Sequence, residues 1–334
     1  MKLVSFEYEG QDKVAILYKS RVYPFFILNP ALPHNMAEFL NAGEDAMEIA
    51  KTYNQHIIND ESKFEGFDYH KLKILAPVPH PTSCRDGYAF SQHVATARRN
   101  RGLEMIPEFD QYPIFYFTNH NSIIGEGDVD LMPDHFKNCD FELEAAIVIG
   151  KKGRNVRAKD ADAYIAGYMV MNDLSARALQ MEDMKLNLGP TKGKDFATAI
   201  GPYMVTPDEL EAFIVPAKEG HIGNQHNLTM RAYVNGIQVS EGSLADMDWT
   251  FAEIIERASY GVDIYPGDVI GSGTVGTGCF LELNGTGLLN DKNYEIQWLQ
   301  NGDVVELTID ALGSLKNKMV GVETDYSIMA LNHK

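Results

Sequence analysis

Residues 139–149 read CDFELEAAIVI, and this stretch decides how the chain is to be understood. The apolar run Ala145 to Ile149 reads as a strand, and two acids, Glu142 and Glu144, stand at alternate positions leading into it. Successive strand side chains point to opposite faces, so the two acids share one face and Phe141 and Leu143 take the other. A solvated edge strand would tolerate such a pair. The apolar continuation argues against solvent, and two like charges entering a buried strand are unfavourable without a counter-ion. A bound divalent metal is the economical explanation.

Other acids fit the same idea. Asp173 ends the apolar run Ile165 to Met171 and precedes a helical segment, and Asp86 lies seven residues before His93 in RDGYAFSQH. Acids at the ends of separate strands can converge, as an all-oxygen site requires. With no His or Cys in the set the cation should be hard, Mg²⁺ first, with Mn²⁺ or Ca²⁺ as alternatives. Lys194, in the Gly-rich loop GPTKGKDFATAIGP, would offset the negative charge and help hold an anion. His93 is framed by acid and aromatic residues unlike the other histidines. Glu282, in GCFLELNG, is read as a strand residue able to orient a histidine and stabilise its protonated form.

The chain has 334 residues, 45% hydrophobic and 23% charged, a globular composition. Its formal charge of −18 argues against nucleic acid or an anionic membrane as partner, and requires a locally positive site for any anionic substrate. No apolar stretch reaches the roughly 18–20 residues of a membrane span. MKLVSFEYEGQDK becomes charged too early for a signal peptide, so a cytoplasmic location is expected. Cys84, Cys139 and Cys279 are few, odd in number and far apart, and form no metal-ligand spacing and no disulfide framework.

Residues 1–72 read as a small α+β unit, with strands at 2–8, 14–18 and 22–27 and helices at 35–40 and 43–56. The proline-rich string ILAPVPHPTSC (74–84) marks the connection to a β-rich unit, 73–334. There, Asn235-Gly236 and Asn301-Gly302 both predict two-residue hairpins, the second between YEIQWLQ and DVVELTI. Helices are expected at 89–100, 175–184 and 250–258, the last opening with Thr250 and Glu253 in capping-box spacing. Many strands with rare short helices predict a mainly β (α+β) fold with a sandwich or rolled-sheet core.

The motifs D-x-Y-x4-H (Asp86, Tyr88, His93), E-L-E (142–144), N-D-x-S-A-R-x-x-Q (172–180), G-K-x-F-x-T (193–198), G-D-x-I-x-x-G-T (267–274) and L-E-L (281–283) occur in this order. The set resembles the fumarylacetoacetate hydrolase family over about residues 76–315. The resemblance implies a mixed β-sandwich roll and a homodimer. It makes Asp86, Glu142, Glu144 and Asp173 metal ligands, His93 the general base and Glu282 its carboxylate partner. Lys194 and Thr198 belong with the metal and active-site shell. Tyr88, Tyr116, Gln180 and Thr274 fall where the family contacts substrate, and Arg177 matches an arginine whose role could equally be structural. Two positions depart from the pattern. Met184 stands where a substrate-contacting tyrosine is expected, and Gly102 replaces a substrate arginine, with Arg101, Arg98 and Arg99 nearby.

The activity implied is hydrolysis of a carbon–carbon bond in a small anionic 1,3-diketo acid. Fumarylacetoacetate, from tyrosine catabolism, is the leading substrate, giving fumarate and acetoacetate. Acylpyruvate hydrolysis, or metal-dependent decarboxylation or isomerisation of a 2-oxo-enoic diacid, is the alternative, because all these reactions route charge onto an enolate. A non-catalytic binding protein would not be expected to keep both His93 and Glu282.

Overall fold

The Leu143–Ile149 strand is buried along its whole length and sits inside an eleven-stranded sheet. The computed structural model describes residues 1–331. Leu143–Ile149 pairs antiparallel with Ile165–Asp173 on one side and Asp268–Gly271 on the other. Beyond Asp268–Gly271 lie Ser83–Gly87, joined in parallel, and the edge strand Phe115–Thr118. Beyond Ile165–Asp173 lies Thr198–Val205, which pairs with the N-terminal strand Lys2–Tyr8.

Period-2 alternation makes this central strand serve two cores. Leu143, Ala145, Ile147 and Ile149 face one cluster, while Ala146 and Val148 face another. The first cluster is closed by a five-stranded sheet made of Ile237–Ser243, Thr229–Val234, Val304–Ile309, Gly313–Gly321 and Gly127–Leu131. Its apolar residues Met230, Ala232, Leu307, Ile309 and Leu315 supply the opposing surface. The second cluster takes Leu3, Ile16, Phe25, Phe39, Ala50 and Ile57 from the N-terminal segment. The molecule is therefore a mixed, sheet-rich α+β fold. Strands Lys2–Tyr8, Gln11–Tyr18 and Arg21–Pro24 extend the main sheet, so residues 1–72 share a sheet and a core with the rest of the chain.

Several local readings hold. Asn235 (φ 51°) and Gly236 (φ 79°) form the tight turn joining Thr229–Val234 to Ile237–Ser243, both in the left-handed region that such a turn demands. Thr250 and Glu253 cap each other at the start of the Phe251–Ser259 helix. Three readings need correction. The strand expected at 22–27 stops at Pro24, and Phe25–Leu28 form one helical turn that buries Phe25. Asn301-Gly302 joins no hairpin: only Leu299 of the preceding segment makes a β-bridge, to Cys139, while the Gly302 amide donates to Met319. Glu282 lies in the first turn of the helix Phe280–Asn290, not in a strand.

Candidate metal and acid–base site

The parity of the central strands gathers the acids. Glu144 shares a strand face with Ala146 and Val148, Asp173 with Met169 and Met171, and Asp86 with Cys84, and all these apolar partners belong to the N-terminal core cluster. At the ends of these strands the same face therefore turns from apolar to acidic. Glu142 enters just before the Leu143–Ile149 strand, its amide donating to Asn172 Oδ1 at 3.0 Å. Carboxylate oxygens of Asp86, Glu142, Glu144 and Asp173 lie within 4.8 Å of one another, all four residues buried.

Such a cluster needs positive charge, and the chain supplies some of it. Lys194 Nζ donates to Glu142 Oε2 at 2.5 Å and to Asp173 Oδ2 at 2.6 Å. Tyr116 also donates to Asp173 Oδ2, at 2.5 Å. Arg177 donates to Glu142 Oε1 at 2.7 Å and to Asp140 Oδ2 at 2.9 Å. Burial raises the Glu142 carboxyl, but the charges of Lys194, Arg177 and His93 outweigh it and hold that carboxyl below its usual range. Among the described residues no lysine or arginine donates to Asp86 or Glu144, and Lys194 acts on Asp86 only at longer range. Burial and the neighbouring Asp173 push Asp86 up to about 8, and burial with the Asp86 charge pushes Glu144 well above normal. Asp173 is also raised, by burial, although Lys194 acts against it.

The donor set fits a hard dication. It is all oxygen, burial raises three of its four carboxyls (Asp86, Glu144 and Asp173), and Asp173 Oδ1 is buried with no hydrogen-bond partner. The Gly273 amide donates to both Asp86 (3.1 Å) and Glu144 (3.2 Å). Gly273 has φ 79°, and a Cβ there would lie 2.6 Å from the Gly87 carbonyl oxygen, so glycine alone brings this amide to the acids. Thr274 Oγ1 reaches Glu144 Oε1 at 3.4 Å.

Beside the acids stands the pair His93–Glu282. His93 lies in the helix Ser91–Arg99, and its Nδ1 is 2.7 Å from Glu282 Oε2, with both side chains nearly buried. The Tyr88 ring meets the imidazole edge-on at 5.9 Å. Asp86 and Glu142 of the acid cluster and His93 of the pair open on a cleft of about 740 Å³ whose lining also includes Tyr88, Arg101, Tyr116, Arg177, Gln180, Lys194 and Thr274. Met181, Met184, Leu288, Ile296 and Trp298 give it an apolar outer wall. Gln180 accepts from Arg177 at 3.0 Å. Arg101 is exposed and donates to the Ala97 carbonyl. Thr198 is buried and pairs with Asp173 across the sheet, with no hydrogen bond from its side chain to the acids.

The sequence reading overlooked Asp140. This fully buried acid accepts from Arg177 and from the amides of Phe280 and Leu281, at 2.8 and 2.9 Å. It thereby ties the Glu142 side of the acid cluster to the start of the helix that carries Glu282. An acid at a helix N-terminus satisfies amides that would otherwise lack partners. The signal was present in the run CDFELE, but it refers to a helix 140 residues away.

A sequence profile described as fumarylacetoacetate (FAA) hydrolase, C-terminal, matches residues 82–320. The chain belongs to the fumarylacetoacetate hydrolase family. It is 33% identical over 300 residues to a mitochondrial oxaloacetate tautomerase of Xenopus laevis, covering 87% of this chain and 80% of that one. An oxaloacetate tautomerase of Bacillus subtilis is 28% identical over 296 residues, covering 86% and 87%. Among solved structures, fumarylacetoacetate hydrolase from Exiguobacterium antarcticum superposes with a TM-score of 0.68 at 22% identity, over 96% of this chain and 100% of that one. Maleylpyruvate hydrolase from Sphingobium sp. SYK-6 gives 0.68 at 19% identity, over the same shares of the two chains. These structures share the fold. The relatives include tautomerases, isomerases and hydrolases, so the protein is an enzyme of this family, while its place among those reactions rests on the site.

Proposed function

We propose that the protein interconverts the enol and keto forms of a small 2-oxo diacid, with oxaloacetate the first substrate to test. The observation that carries this reading is the His93–Glu282 pair, whose His93 lines the same cleft as Asp86 and Glu142. Asp86, Glu142, Glu144 and Asp173 would hold the cation, Mg²⁺ by the hardness of its oxygen donors. When bound, the cation supplies a Lewis acid for the oxygens of a 2-oxo acid.

The chain's own groups do the rest. His93 takes a proton from the carbon between the two carbonyl groups while the enolate oxygen gains one from solvent, and in the reverse direction the oxygen gives up its proton as His93 returns one to the carbon. Glu282, accepting from Nδ1, holds the ring in place and offsets the charge of the imidazolium. Lys194 places positive charge beside the oxygen that gains electron density, a contribution of roughly 3–4 kcal/mol if it acts like other preorganised donors. Arg101 at the rim offers a partner for the outer carboxylate. The test is the ultraviolet decay of enol-oxaloacetate with saturating Mg²⁺. A rate no faster than buffer, or an undiminished rate in His93→Ala, defeats the proposal.

A second reading is hydrolysis of a 1,3-diketo acid, and the size of the cleft favours it, since about 740 Å³ exceeds what a four-carbon diacid fills. There His93 would deprotonate water, hydroxide would add to a ketone carbon, and the bond to the neighbouring carbon would break, that carbon leaving as an enolate that takes back the proton held by the imidazolium. Release of fumarate and acetoacetate from fumarylacetoacetate would favour this reading over tautomerisation. We further propose that the enzyme works in the cytoplasm as a homodimer, which sedimentation would test by its mass.

A further inference from the structure

Behind the cleft wall, sulfur, nitrogen and oxygen donors meet. Cys279, His93 and Glu282 each offer one ligand atom, and these atoms lie within 4.8 Å of one another. Their exposures are 0%, 6% and 2%. One stretch of backbone supplies two of the three: Cys279 immediately precedes the helix Phe280–Asn290, and Glu282 stands in its first turn. His93 enters from the helix Ser91–Arg99.

We propose that Cys279, His93 and Glu282 form a second cation site, selective for Zn²⁺ or another thiophilic dication, whose occupation switches the enzyme off. A thiolate, an imidazole and a carboxylate suit Zn²⁺, whereas Mg²⁺ prefers oxygen donors and keeps waters. The two clusters thus separate cations by chemistry: the hard one goes to the four acids, the borderline one to the mixed set. Three protein ligands leave one tetrahedral position, which water from the His93 side can fill, because His93 lines the cleft. Binding forms a zinc–sulfur bond as the Cys279 thiol loses its proton to solvent, with no change of oxidation state. Inhibition follows from the geometry. At Nε2 the cation takes the atom that exchanges protons, and at Nδ1 its charge lowers the basicity of the ring; in both cases Glu282, drawn to the metal, no longer orients the imidazole.

The test uses Mg²⁺-saturated protein with Co²⁺ as the probe, read by the near-ultraviolet absorption that arises only from a cobalt–thiolate bond. The band is expected in the wild type and in Glu144→Gln, which alters only the acid cluster, and it is expected to vanish in Cys279→Ser. In parallel, Zn²⁺ inhibition of the Mg²⁺-supported reaction should weaken about tenfold or more in Cys279→Ser, while activity without zinc stays at the wild-type level. Absence of the band from the wild type, or its persistence in Cys279→Ser, overturns the site. Unchanged zinc inhibition in that variant assigns the effect to the acid cluster and overturns the switch. Circular dichroism checks that Cys279→Ser is folded, and Cys279→Ala replaces it if it is not. The cobalt spectrum needs no substrate, so this site fails or stands independently of the reaction proposed above.

Discussion

His93 Nδ1 and Glu282 Oε2 stand 2.7 Å apart although 189 residues separate them in the chain. The carboxylate accepts at Nδ1, which leaves Nε2 to exchange protons. His93→Ala should lower kcat by about 10²–10⁴ and leave Mg²⁺ affinity unchanged. Steady-state kinetics beside calorimetric Mg²⁺ titration checks both halves, and a large loss of affinity would move His93 into the metal shell.

Glu144 receives no side-chain cation, and burial with Asp86 pushes its carboxyl well above the usual range. In the metal-free protein it is a strained partner. Glu144→Gln should therefore weaken Mg²⁺ binding, with partial recovery of activity at high Mg²⁺, yet raise the melting temperature of the protein in EDTA. A lower melting temperature in EDTA would mean that Glu144 is structurally required without the metal.

Asp140 holds Arg177 and the first amides of the Phe280–Asn290 helix. Asp140→Ala takes from the buried Arg177 one of its two carboxylates and leaves the Phe280 and Leu281 amides without their acceptor, and should destabilise the fold by roughly 3–5 kcal/mol. Asp140→Asn keeps an acceptor for the amides and should cost less. Urea denaturation ranks the two, and equal losses would show that the charge is all that matters.

His135 and His226 set an acid limit on stability. Burial lowers both, from 6.5 to about 4. His135 Nδ1 accepts from the Met132 amide and its ring stacks on Phe196 at 4.2 Å, so protonating that nitrogen would break the bond. Between about pH 4 and 6.5 the unfolded chain binds more protons than the folded one. Stability is then fully present above pH 6.5 and is lost as pH falls towards 4, by on the order of 1–2 kcal/mol for each ring after allowing for partial solvent access. His135→Phe should flatten part of this dependence in denaturant titrations between pH 4 and 7.

Much of this was legible from residues 139–149 and the later motifs, because strand parity fixes which side chains share a face. Glu144, Asp173 and Asp86 needed only that rule and a guess at convergence. What the chain could not display locally lies in long-range contacts. The helical place of Glu282 was hidden because FLELNGTGLL carries two glycines and no helical stripe, and tertiary contacts, Asp140 among them, hold it as a helix. The segment before Asn301 is apolar enough to pass for a strand, but only Leu299 finds a strand partner. Cys279 was invisible as a donor because its companion, His93, comes from the other end of the family region.

Asp86, Glu144 and Asp173 rest on sheet strands and Glu142 stands immediately before one, while the walls of the cleft come from the helices Ser91–Arg99, Arg177–Met184 and Phe280–Asn290. Replacements such as Met184 can therefore reshape what the enzyme accepts without disturbing the charge-bearing floor. Descendants of one ancestor could in this way diverge in diet while inheriting the same anvil.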